Sequence, residues 1–188
     1  MALNRLIIDG YGQLELNNVS FPRDGRIEAQ CDLAATFTKD APAEVGMLLA
    51  VDKANKKVRL PSATEKCPIA LNYSTEKIYD QFNPGLKNFR MVYDANGEYF
   101  FPRMGYLAVG EVFTTNCLCY DTTDFANDAA LIAALKACAT TAVYVASSTL
   151  GAGQVKKALP ESGLALQVVE ATTMPDGQFA VKLQVVRA

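Results

Sequence analysis

Two cysteines separated by one residue, Cys117 and Cys119 in TTNCLCYD, are the pair in this chain best spaced to do chemistry. In an extended strand that spacing turns both thiols to one face, where they could hold a soft metal or act as a vicinal pair. A four-ligand zinc site needs more. The chain has no histidine and no second close cysteine pair, only the distant Cys31, Cys67 and Cys138. The expectation is two small apolar side chains packed on a core face, with Leu118 and Tyr120 on the other. Five cysteines, an odd number without regular spacing, also argue against a disulfide framework.

The missing histidine removes Ser-His-Asp and Cys-His nucleophilic sites, histidine-ligated zinc or iron, and the commonest general base near neutral pH. Carboxylate chemistry remains, but the acidic residues are scattered and no pair stands in an apolar setting that would raise a pKa, which disfavours a hydrolase. The glycine pairs GYGQ (Gly10 to Gln13) and GAGQ (Gly151 to Gln154) lack the third glycine or the lysine of phosphate-binding loops and read as turns. The chain is therefore expected not to be an enzyme and to carry no cofactor and no metal.

Charge narrows the partners. Eighteen Lys and Arg against 20 Asp and Glu give a net charge of −2, with a pI near 5.2, so no overall field draws in phosphate backbones. The densest basic patch, Lys53, Lys56, Lys57 and Arg59, lies in and just after a hairpin turn, where lysines guard exposed strand edges. No nucleic-acid partner is expected. Apolar stretches fall short of the roughly 18 residues a membrane helix needs, and Met1 to Asp9 has no signal-peptide pattern, so the reading is a soluble chain made in a cytoplasm.

The elements that must carry these residues are mostly strands. Pro22-Arg23-Asp24-Gly25 reads as a hairpin turn between Val19–Phe21 and Arg26–Ala29, with Pro fixing the first turn angle and Gly taking a positive one. Asp94-Ala95-Asn96-Gly97 repeats the signature between 90–93 and 98–101. Pro175-Asp176-Gly177 joins 167–172 to 179–186, where Val181, Leu183 and Val185 alternate with Lys182 and Gln184. A fourth hairpin runs from Met47–Val51 to Lys57–Leu60, with Val58 and Leu60 inward and Lys57 and Arg59 outward. One segment, NDAALIAALKACATT, has helical period, with Asn127 or Asp128 as N-cap and an apolar stripe at Leu131, Leu135 and Cys138.

The fold class that follows is mainly β, barrel or sandwich-like with several hairpins, plus one short α-helix near 128–138. At 188 residues, half of them apolar, the chain can bury one good core and carry an appendage. We divide it into an N-terminal arm and hairpin over 1–38 and a β-rich domain with the helix over 39–188. Long connections at Ser74–Asn88 and Ala146–Gly163 are candidate contact surfaces. Aromatics in excess of what one strand face can bury, among them Tyr79, Phe82, Tyr99 and Phe101, suggest a subunit interface.

The segment GMLLAVDKANKKVRLPSATEKCPIALNYS, followed by GYLAVGEVFTTN, resembles the head-decoration, or structural cement, proteins of tailed bacteriophages. The matching residues are Gly46, Leu48, Leu49, Val51 and Asp52, then Val58, Pro68, Ile69 and Ala70, and finally Gly110, Glu111 and Val112. The likeness covers roughly residues 40 to 116, and this chain is longer, mostly after Asp121.

That resemblance implies a virion structural protein on the capsid exterior, bound to the major capsid protein as a homo-oligomer with a trimer favoured, and bringing no catalytic residues. It also implies an N-terminal arm that adds a strand to a capsid sheet. Leu3, Leu6, Ile7 and Ile8 are the capsid-contact candidates of that arm, and deleting residues 1–12 should then leave the fold intact. Two other readings stay open: a tail or tail-tube protein, and a ligand-binding β module using Tyr79, Phe82 and Tyr99.

Overall fold

The structure, a computed structural model, describes residues 2–38, 40–74, 90–91 and 101–188. In chain order the strands are β1 (Leu3–Arg5), β2 (Leu14–Asn18), β3 (Ile27–Glu28), β4 (Asp32–Leu33), β5 (Ala43–Glu44), β6 (Leu48–Asp52), β7 (Lys57–Arg59) and β8 (Ile69–Asn72). They continue with β9 (Arg90–Met91), β10 (Met104–Gly105), β11 (Val112–Thr115) and β12 (Leu118–Asp121). The helix α1 (Asp128–Lys136) follows, then β13 (Tyr144–Ala146), β14 (Gly153–Lys156), β15 (Ala165–Thr173) and β16 (Phe179–Arg187). The chain is mainly β with one short helix among the described residues.

An eight-stranded sheet has the order β1-β12-β14-β13-β15-β16-β11-β2, and a six-stranded sheet the order β3-β10-β8-β6-β7-β4. The short β5 and β9 pair separately. In the larger sheet β11 and β12 stand five strand spacings apart, about 24 Å in a flat sheet. Yet only Asn116 and Cys117 join them, a reach of about 11 Å. The sheet must therefore curl into a barrel-like layer. Its inner face collects Phe113, Leu118, Val145, Leu166, Val181 and Leu183 into one core cluster, which also takes in Leu131 and Leu135 of the helix.

A second cluster, with Leu33, Phe37, Leu49, Val58 and Met104, lies under the six-stranded sheet and includes Cys117 and Cys119. The β12 strand is thus buried on both faces: thiols toward the smaller sheet, Leu118 and Tyr120 toward the barrel interior. Two-sided burial explains the apolar run of CLCY, as it does for any central strand.

The hairpins β6–β7 and β15–β16 form as their turn residues require, with Gly177 at φ +87° and Lys56 at φ +53°. Val58 is fully buried and Leu60 partly so. The helix starts at Asn127, whose side chain accepts from the Ala130 N–H at 2.9 Å, and its Leu131 and Leu135 are buried. Cys138 lies beyond its end, with its Sγ 3.7 Å from the Val169 carbonyl.

The Pro22–Gly25 element needs correcting. The turn is present, with Gly25 at φ +71° and the Arg26 N–H donating to the Phe21 carbonyl at 3.0 Å, but its flanks form no strand ladder with each other. The preceding strand β2 pairs with β11 in the large sheet, while β3 after the turn pairs with β10 in the small one. The turn carries the chain from one layer to the other. Residues 94–97 lie outside the described residues, and β9 pairs with β5.

Gly46, part of the family likeness, has a structural reason. It sits at φ +87°, and a Cβ there would run into the Thr115 hydroxyl and meet the Gln13 carbonyl at 3.2 Å. Left-handed strain and a clash against backbone each cost about 1–3 kcal/mol. Gly46→Ala is expected to lose roughly 3 kcal/mol or more of unfolding free energy in urea titration.

Candidate interaction surface

The N-terminal segment is where an attachment arm was expected, and its local geometry follows from the register. Leu3, Asn4 and Arg5 oppose Asp121, Tyr120 and Cys119, and the Leu6 N–H donates to the Leu118 carbonyl at 3.0 Å. In an antiparallel ladder hydrogen-bonded pairs alternate, so the backbones of Asn4 and Leu6 face β12 while those of Leu3 and Arg5 face the open edge. Beyond the strand, the Ile7 N–H donates to Asp128 Oδ2 (3.1 Å) and the Asp9 N–H to Gln178 Oε1 (2.8 Å). The Gln13 N–H donates to Asn116 Oδ1 (2.6 Å) and its side-chain amide to Asp176 Oδ2. Residues 6–13 form a strap from one edge strand of the large sheet, β1, to the other, β2.

The four arm residues are used unequally. Leu6 is 3% exposed inside the barrel core, Ile8 packs against that core, and Leu3 is half-buried. Ile7 is 86% exposed. The free arm expected over residues 1–12 is instead a docked element, because its apolar residues find an internal face and Arg5 finds a buried carboxylate. Of the four, Ile7 is the one left fully presented to solvent.

That carboxylate is Glu44, 4% exposed, which accepts both terminal nitrogens of Arg5 at 2.5 Å and the Gly12 N–H at 2.6 Å. Cys117 Sγ lies 3.6 Å from the same guanidinium. Burial nonetheless pushes the Cys117 thiol up to about 12 and the Cys119 thiol up to about 11, so both stay protonated and unreactive near neutral pH. Among the described residues no group of three His, Cys, Asp or Glu side chains could hold a metal ion.

A second buried acid, Glu111, holds the crossing between layers. It accepts from the Ser20 N–H (2.8 Å), the Ser20 hydroxyl (2.9 Å), Arg26 Nη2 (2.5 Å) and the Ala108 N–H (2.8 Å). Burial pushes this carboxyl up, but Arg26 and the backbone donors together hold it below the usual carboxylate range. Arg59 and then burial act on Glu65 in opposite senses, with Arg59 winning, and Glu65 also lies well below that range.

Both shifts have the same sign: a folded pKa below the unfolded value near 4.3 favours the folded state above that pH and stops doing so as pH falls through the folded pKa. The thermal midpoint should therefore be level near neutrality and fall steadily below about pH 4. Glu111→Gln should lower the midpoint at pH 7 and flatten that acid slope; an unchanged slope would remove Glu111 as a cause.

The basic turn is largely neutralised. Lys53 pairs with Glu28 (3.2 Å), Lys57 with Asp32 (2.6 Å), and Arg59 with both oxygens of Glu65 (2.7 and 3.0 Å). These contacts tie β7 to its neighbours and leave little outward positive field.

Of the aromatic interface candidates, Phe101 is 48% exposed, while Tyr79, Phe82 and Tyr99 lie outside the described residues. The structure adds apolar surface residues that sequence reading did not single out: Val109 (68%), Ile27 and Leu16. Leu16 and Ile27 sit on edge strands β2 and β3. Alternation within strands as short as β3 is too brief to reveal an outward apolar residue. Beside β1, Leu3, Ile7, Phe37, Leu60 and Leu150 line an open groove of about 520 Å³.

No family model, no curated protein and no solved structure matches the chain.

Proposed function

We propose that the protein is a bacteriophage virion structural protein that binds the outer surface of the capsid and stabilises it, with the major capsid protein as partner and a homo-oligomer as the attaching unit. One observation carries the reading. Nine of the twelve residues that carry the resemblance, Gly46 through Ala70, fall on or beside three adjacent strands in the spatial order β7-β6-β8, with Leu49 opposite Ala70 and Val51 opposite Val58. That stretch of the likeness forms one three-stranded piece of the smaller sheet, while Gly110, Glu111 and Val112 lead into β11 of the larger one.

The exposed apolar residues on edges and loops suit repeated modest contacts. A capsid presents the same epitope many times, so an oligomer gains attachment from effective concentration without any strong single contact. Light scattering on a sizing column, alone and after mixing with emptied, expanded phage heads, tests the proposal. A trimer's mass, or loss of the protein into the head fraction at a fixed ratio to capsid subunits, is the expected result. A six-membered ring or stacked tubes would replace it with the tail reading, and a monomer indifferent to heads would overturn both.

A further inference from the structure

A cavity of about 640 Å³ opens between the two sheets and shares Leu3 with the groove described above. Its volume falls within the roughly 300–1,000 Å³ range of small-molecule sites. Three anchored segments frame it. The Glu65 carboxylate ties down the β7–β8 connection by accepting from Arg59 and from the N–H groups of Ser62 and Cys67, both at 2.8 Å. Arg187 fixes the segment before β15 by donating to the carbonyls of Pro160 (2.6 Å) and Gly163 (2.7 Å). The hydroxyl of buried Ser148 locks the β13–β14 turn by donating to the Ala152 carbonyl at 2.6 Å.

The lining chemistry is selective. Glu65 is the one charged side chain that lines the cavity, and its charge is matched by two hydrogen bonds from Arg59. Ser147, Thr149, Gln154 and Ser162 also line it, and among the described residues their side chains make no hydrogen bond. Ile69, Leu107 and Leu164 supply aliphatic surface. Uncommitted hydroxyls and an amide above aliphatic walls, with the one charged side chain already matched, suit a ligand that is itself hydroxylated on its rim and apolar on its ring faces. An anion would lose hydration here beside the Glu65 carboxylate, and a cation would find that carboxylate already engaged by Arg59.

We propose that this cavity is a binding site for a neutral oligosaccharide of two or three units, held by Ser147, Thr149, Gln154 and Ser162. The site is independent of capsid attachment and stands whether or not the protein binds heads.

Saturation-transfer NMR on the full chain tests it with four trisaccharides: neutral maltotriose and triacetylchitotriose, the acidic galacturonate trimer and the basic glucosamine trimer. At least one neutral trimer should bind with a Kd of about 1 mM or tighter, and both charged trimers at least ~10-fold more weakly. Thr149→Phe fills the mouth from an exposed loop position and should abolish binding while leaving the thermal midpoint unchanged. Ser162→Ala, which removes one hydroxyl from another wall, should weaken binding without filling space. Failure of both neutral trimers to bind at 10-fold above that Kd, equal binding of the charged trimers, or binding that survives Thr149→Phe would each overturn the assignment.

Discussion

Removing residues 2–12 should leave a chain without a cooperative unfolding transition at 25 °C. The deletion takes Leu6 out of the barrel core, which costs about 2–5 kcal/mol for a buried leucine. It also strands Glu44, 4% exposed, without its guanidinium, a loss of about 3–5 kcal/mol for a broken buried pair. The hydrogen bonds from Ile7 to Asp128 and from Asp9 to Gln178 go as well. Even discounted for overlap, the sum reaches into the roughly 5–15 kcal/mol that a domain this size has in total. Near-ultraviolet circular dichroism through a thermal ramp reads the result. A sharp transition within a few degrees of the full chain would restore the segment as a detachable arm, and would do so whatever its behaviour toward capsids.

Glu44→Ala isolates the electrostatic part. It leaves Arg5 facing an apolar gap and the Gly12 N–H without its acceptor, and Arg5 keeps about a third of its side chain in water, which softens the penalty. The expected loss is about 3 kcal/mol in urea titration. The double variant Arg5→Met with Glu44→Leu should recover most of it, because an apolar pair of similar volume needs no desolvation of charge. A double variant no better than the single one would mean that Glu44 acts through the Gly12 backbone contact and not through the ion pair.

These two results also mark where sequence reading reached and where it stopped. The β6–β7 and β15–β16 hairpins and the capped helix were legible because their signals are local: a turn residue at fixed offset, an alternation, an N-cap three residues from its donor. The Pro22–Gly25 turn gave an equally good local signal and was misassigned, since turn chemistry says that the chain reverses, not which sheet each flank then joins. Arg5 and Glu44 are 39 positions apart with nothing in either neighbourhood to link them. The parallel pairing of β12 with β14 is similarly hidden, because the helix and β13 intervene. Cys117 and Cys119 were legible as same-face core residues, since a spacing of two settles their direction once a strand is granted. The oligosaccharide cavity could not be read at all, as its walls come from segments that meet only after both sheets have formed.

The strap over residues 6–13 has a consequence for biosynthesis. Its partners Asp176 and Gln178 are made 163 and 169 residues after Gln13 and Asp9, so the strap cannot close until the β15–β16 turn has left the ribosome. At about 5–20 residues per second that wait lasts roughly ten to thirty seconds. Through that interval the segment around Ile7 and Ile8 lacks its later anchors and is available to chaperones or to neighbouring nascent chains, and closure of the strap reports that the β15–β16 hairpin has been made.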